Sequence, residues 1–365
     1  MTDLFRVVTG IAGLAEVGRG IGAATRSIPF LGPRLAGRDG QVADSRAYVK
    51  VIDRLNKASV HQHSQAYVDV AWEDPEFQVD ANDPRWVLSP SDLLGGTSWY
   101  RAQSPQVQAQ IGLWYFANFM KIGLQFENLL NQGLLSFTLR MPNGSPEFRY
   151  LYHEIAEECQ HVMMFQEFVN RTKLPVTGVP WALSLVGRAA PLLSLVSPEL
   201  FFVFVLSGEE GIDREQRTMI KENRIKHPLA ETLLRLHIAE EARHISFARH
   251  YLKHQVPELG RVRRCVFGLL TPVALGVPTH IMASPDSMAR RFRIPRQVVD
   301  QAYRSPEARK QIRDSVGGTR DLMFSLGVIT PLNKPMWKLM GIWDTPGAHR
   351  PGRSRARTGG EMVRT

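Results

Sequence analysis

His237, Glu241 and His244 stand at i, i+4 and i+7 in LLRLHIAEEARHISFARHYL, residues Leu233–Leu252. The stretch has neither Gly nor Pro. Leu233, Leu234, Leu236, Ile238, Ile245, Phe247 and Leu252 recur at helical spacing, so it reads as one helix. At 3.6 residues per turn the three polar side chains stack on one face. Two imidazoles and a carboxylate on a stripe suit a transition metal such as iron, manganese or zinc. A polar stripe facing solvent is the plainer reading. It is opposed by Leu234, Ile245 and Ala248, which turn the same stripe to the core, where a carboxylate is costly unless paired or coordinated.

A second helical run, Arg149–Arg171, carries Glu158 and His161 on the stripe of Leu151, Ile155, Val162, Phe165 and Val169. Glu158-x-x-His161 and Glu241-x-x-His244 are the same motif. Two Glu-x-x-His helices, with one glutamate from each of two more helices, form the ligand set of four-helix dimetal carboxylate proteins. Two further inward glutamates are therefore expected. Glu127 is the only carboxylate of the apolar run Ile111–Leu139. The other lies between Pro198 and Lys226, where Glu209 and Glu210 are adjacent. Glu209 shares the face of Phe202, Val205, Leu206, Ile212 and Gln216. Glu210 shares that of Arg214, Arg217 and Lys221, which reads as solvated. Phase selects Glu209, with Glu210 in reserve.

The set is then Glu127, Glu158, His161, Glu209, His237, Glu241 and His244. Two divalent irons balance its four carboxylates, and mixed oxygen and nitrogen donors suit redox-active iron. His237 exceeds a plain ferritin-like pair of histidines. In order, spacing and residue type the series resembles the AurF-type diiron oxygenases, the p-aminobenzoate N-oxygenase family. Asp83–Tyr100, Met141–Thr172, Gly208–Asp213 and His237–Ala248 also look like that family, and the similarity spans roughly Asp44–Asp344. The resemblance implies an all-α, ferritin-like helical bundle with a dinuclear metal site in its core and additional helices around it. It also implies two non-haem iron ions, O2 as co-substrate, an external electron donor and N-oxygenation of a small amine. A diiron hydroxylase or desaturase acting on lipid-like carbon, and a non-enzymatic ferritin-like iron protein, are the competing readings. Glu154 and Asp213, one turn from Glu158 and Glu209, are candidates to accept the second N–H of the metal histidines.

The 365 residues are 44% hydrophobic and 22% charged, enough for one large helical domain. Residues 44–345 are expected to form it, between a flexible basic segment 1–43 and a disordered basic tail 346–365. Cys159 and Cys265 are the only cysteines, which excludes a disulfide framework. Cys159 reads as a core filler, with iron ligation the lesser alternative. The net charge of +10 gathers at the ends, in Arg6, Arg19, Arg26, Arg34, Arg38 and Arg46 and in Arg350, Arg353, Arg355, Arg357 and Arg364. Solvated termini explain it better than nucleic acid or lipid, and no nucleic-acid module is present. Val7–Ala15 is too interrupted for a signal peptide, and Phe30–Arg34 reads as a short anchor or loop.

Ala189–Gly208 and Cys265–Ala283 are apolar, but prolines at 191, 198, 272 and 278 break them. Buried helices fit them better than membrane spans. Peripheral membrane contact and a homodimer remain open, and the expected location is cytoplasmic. Tyr67–Tyr100 reads as an irregular cover in which Trp72, Trp86 and Trp99 are packing anchors. Asp44–Lys57 is expected to be the entering helix. Ile294–Met323 is expected to hold further helices, and Asp321–Trp343 a last helix and docking segment.

Overall fold

The structure, a computed structural model, describes residues 39–139, 141–180, 184 and 187–345. Residues 45–345 fall in one compact unit. Every regular element among the described residues is helical. Most of segment 1–43 and all of tail 346–365 lie outside them, as do Val7–Ala15 and Phe30–Arg34.

In chain order the longer helices are α1 (Asp39–His61), α2 (Pro105–Thr138), α3 (Pro146–Thr172), α4 (Pro198–Lys221), α5 (Pro228–Gln255) and α6 (Arg261–Met282). Among the shorter ones that follow are α7 (Arg296–Tyr303), α8 (Pro306–Ser315) and α9 (Gly317–Ser325). Each of α2 to α5 begins on a proline. At this position the missing N–H is one that no helix could use and the fixed φ is already helical. Ser104 adds a side-chain cap to α2, and α3 stops at Lys173 in the left-handed region, φ 54°. The sequence places most of these boundaries to within a few residues, but α1 and α5 begin five residues, and α2 six residues, before their apolar runs.

Helix α3 packs on α2, α5 on α4, and α3 on α5. Phe116, Phe165, Phe168, Phe201, Phe202 and Phe247 fill the space between them. Helices α2 and α4 approach closely at Gly208, where an added Cβ would lie 2.0 Å from the Phe126 ring. We expect Gly208→Ala to push these helices apart and lower unfolding stability by about 1–3 kcal/mol, read as a fall in the urea midpoint. An unchanged midpoint would mean that Phe126 swings away freely.

Residues 62–104 run irregularly over the bundle, with two 3-10 turns and the short helix Ser98–Arg101. Trp72 and Trp86 are buried. Trp86 stacks on the buried His227 ring at 4.1 Å, and Trp72 Nε1 donates to Ala66 O. Trp99 packs against the same core from a half-buried position, so all three act as anchors.

Helix α6 runs unbroken through Pro272 and Pro278, against the expectation that they interrupt it. A proline in a helix removes one bond and bends the axis. Here α6 lies along α4, and Phe267, Gly268, Thr271, Leu275 and Gly276 are buried. Tertiary packing thus offsets the lost bonds. Its other face is only partly covered: Val262, Val266, Leu269 and Leu270 are exposed. By length and composition Arg261–Arg291 could cross a membrane, and 44% of its apolar window is buried. Trp337, in the short helix Lys334–Leu339, is fully buried and docks the last segment.

Candidate dimetal site

The seven side chains singled out above meet in the middle of α2 to α5, each at most 4% exposed. They form two groups, and within each group the donor atoms lie within 4.8 Å of one another. One is Glu127, His161 and His237. The other is Glu158, Glu209, Glu241 and His244. Glu158 and Glu241 lie between the groups. Glu158 Oε2 is 3.4 Å from His161 Nδ1 and Oε1 is 2.9 Å from His244 Nδ1. Glu241 Oε1 is 3.3 Å from His237 Nε2, 3.5 Å from His244 Nδ1 and 3.6 Å from His161 Nδ1. Glu209 belongs to the cluster, as its helical phase requires. Glu210 points away and pairs with Arg249 and with Thr319 Oγ1.

Each histidine is held from behind. His161 Nε2 donates to Glu240 Oε2 at 2.7 Å, and His244 Nε2 to Glu157 Oε2 at 2.8 Å. His237 Nδ1 donates to Gln216 Oε1 at 2.9 Å. These bonds fix which ring nitrogen faces the cluster: Nδ1 of His161 and His244, Nε2 of His237. The two carboxylate bonds cross. Helix α3 carries Ala156-Glu157-Glu158-x-x-His161 and α5 carries Ala239-Glu240-Glu241-x-x-His244. The first glutamate of each doublet grips the histidine of the other helix.

Residues 59–66 close over these glutamates. Ser64 N–H donates to Glu240 Oε1, and Ala66 N–H to Gln160 Oε1 at 2.9 Å. Arg243 pairs with Glu157 at 3.0 Å and donates to Ser59 Oγ and the Gln62 carbonyl.

The outer partners proposed from sequence are therefore replaced. Glu154 is buried beside the cluster but bonds no ring nitrogen, and burial lifts its carboxyl to about 8. Asp213 pairs with Arg217 at the surface. The signal for the true partners was the repeated Glu-Glu doublet. Cys159 is exposed rather than a core filler and stands outside both donor groups.

The donor set fits two divalent cations. Glu127 Oε2, both Glu209 oxygens and Glu241 Oε2 are buried without a hydrogen-bond partner, and Glu158 Oε1 and His244 Nδ1 face each other at 2.9 Å. Unpaired buried charge of this kind is costly unless neutralised. Protons do this in the absence of a cation. Burial, followed by the charge of neighbouring glutamates, pushes Glu127 and Glu209 well above the usual carboxylate range. Burial opposes ionisation of His161 and His244, yet their carboxylate partners push both well upward. Glu158 is also disfavoured by burial, but bonds from those two histidines carry it below its ordinary range. Burial lowers His237 to about 4, leaving the neutral imidazole that coordinates metal. Two divalent ions would take over this neutralisation, and loading would release protons.

Glu209→Gln is expected to lose bound metal, measured as ions per chain after gel filtration. Glu210→Gln is expected to keep its metal but lose about 2 kcal/mol of stability through its bonds to Arg249 and Thr319. Metal loss from Glu210→Gln alone would reverse the assignment.

Four helices that bring two Glu-x-x-His motifs and two further glutamates to one buried cluster define the ferritin-like dimetal carboxylate class. Within it, the chain belongs to the AurF, or p-aminobenzoate N-oxygenase, family, whose model matches residues 45–327. Proteins of Mycobacterium tuberculosis and Mycobacterium bovis, both described as uncharacterized, are 42% identical over 315 residues. That alignment covers 86% of this chain and 93% of theirs. No solved structure gives a significant match.

Proposed function

We propose that the chain is an O2-dependent diiron oxygenase that oxidises the nitrogen of a small amine, most naturally an arylamine. Glu127, His161 and His237 would hold one iron and Glu209 and His244 the other, with Glu158 and Glu241 shared. Bound there, the iron pair supplies the two-electron activation of O2, and an external donor returns the electrons. Glu240, Glu157 and Gln216 accept the outer N–H groups of the histidines and so hold the other nitrogen of each ring toward the cluster. The phenylalanine packing around the bundle keeps bulk water from the carboxylates.

The observation that carries the reading is His237. A site for iron storage needs only the histidines of the two Glu-x-x-His motifs. Here a third imidazole, oriented by Gln216, faces Glu127 and Glu241. A cleft of about 640 Å³ opens between α2 and α4; it is lined by Trp114, Asn118, Ile122, Ser207 and Ile212 and by none of the seven cluster residues. That volume suits an organic substrate.

The test is anaerobic Fe(II) loading, an O2 pulse and mass spectrometry of amines and hydrocarbons incubated with a reductant. Repeated turnover to an N-oxygenated amine is expected. A single round of iron oxidation without product would favour storage, and a hydroxylated or desaturated carbon product would favour the lipid-type reading.

A further inference from the structure

The crossed clasp is nearly symmetric in its glutamates and histidines, and it is asymmetric one residue before each histidine. On α3 that place holds Gln160 and on α5 it holds Arg243. The guanidinium of Arg243 is 3.0 Å from Glu157, the carboxylate behind His244, and is itself buried. Gln160 is neutral and accepts the Ala66 N–H. Among the described residues, the carboxylate behind His161, Glu240, takes only the neutral Ser64 N–H besides the histidine. One histidine thus leans on a carboxylate paired with an arginine, and the other on a carboxylate that meets no arginine or lysine among the described residues.

We propose that Gln160 and Arg243 are positioning residues that make the two metal positions unequal. They do so by setting how strongly Glu240 and Glu157 raise the donor strength of His161 and His244. An imidazole whose outer N–H points at an uncompensated carboxylate is the more basic ligand. A cation on that carboxylate withdraws part of the effect. Gln160 therefore strengthens the position of Glu127, His161 and His237, and Arg243 weakens the position that contains Glu209 and His244. The inference rests on the two-ion reading of the cluster, and the experiment separates the two.

The test is calorimetric titration of the full chain with Mn(II), which needs no turnover. Wild type should bind two ions in resolvable steps. His237→Ala, which removes a donor from one position only, marks the step that belongs to that position. Gln160→Arg should weaken the marked step about tenfold, the size typical of a changed outer partner, and leave the other within about twofold. Arg243→Gln should tighten the unmarked step by a similar factor. Arg243 is buried and its variant can fail to fold. Gln160 is half-buried, so its variant alone keeps the inference testable. No change in Gln160→Arg, or a change in the unmarked step, overturns the inference while the two-ion reading stands. Fewer than two ions in wild type removes that reading, and this inference with it.

Discussion

His237→Ala is expected to keep the fold and abolish oxidation of substrate. Alanine is the best helix former, and α5 is held on both sides of position 237 by Leu233, Leu234, Phe247 and Leu252, all fully buried. What changes is the cluster. Glu127 Oε1 loses its imidazole neighbour at 3.1 Å, and Gln216 Oε1 loses the N–H it accepts. Changing an outer partner already costs 10–100-fold in comparable sites, so losing a donor should cost at least ~100-fold in oxygen-dependent turnover. The measurement is product formed per chain in wild type and variant, with far-ultraviolet circular dichroism as the fold control. Turnover within about twofold of wild type would make His237 a packing residue. It would also move the protein toward a ferritin-like iron binder.

Removal of metal should have the largest effect on stability. Four carboxylates share one buried cluster, three of them with unpaired oxygens, and in the metal-free protein protons on its glutamates and histidines offset their charge. A ligand at a thousand times its dissociation constant adds about 4 kcal/mol to unfolding stability. In a helical domain of this size that corresponds to roughly 10 °C in melting temperature. Thermal unfolding of chelator-stripped protein, before and after anaerobic reloading with Fe(II), measures it. Equal melting temperatures would mean that protons stabilise the cluster as well as metal does.

The seven cluster residues were legible in the sequence because each lies on an apolar stripe where a charge has no other reason to be. Glu127, the only carboxylate of an apolar helix, is the plainest case. Glu157 and Glu240 were marked only by the repeated doublet, because each precedes a cluster glutamate and so points about a quarter turn away, where a helix usually meets solvent. Glu154 and Asp213 were preferred on the assumption that a histidine's outer partner lies one turn away on a neighbouring stripe. The actual partners come from the facing helix, and only tertiary structure reveals a crossing. Glu210 shows the same limit. Its phase runs with Arg214 and Arg217, but Arg249 of α5 and Thr319 of α9 meet it, so it is buried rather than solvated. The prolines of α6 misled for a related reason, since a helix laid along another can keep its course without two of its own bonds.

The segment that seals the clasp does so with main-chain atoms: the Gln62 carbonyl, the Ser64 N–H and the Ala66 N–H. Peptide groups are the same whatever side chain they carry. The exposed residues His61, Gln62, His63 and Gln65 can therefore be exchanged freely, provided proline is kept out of residues 61–66, where Gln62 and Gln65 also donate their N–H groups. The count of residues cannot be changed so freely. One residue inserted between Gln62 and Ser64 would shift the donors by about 3.5 Å and draw them off Glu240 and Gln160. This stretch works as a ruler: its length is under constraint while its spelling is nearly free. Metal retention should survive scrambling of residues 61–63 and fail on a single insertion there.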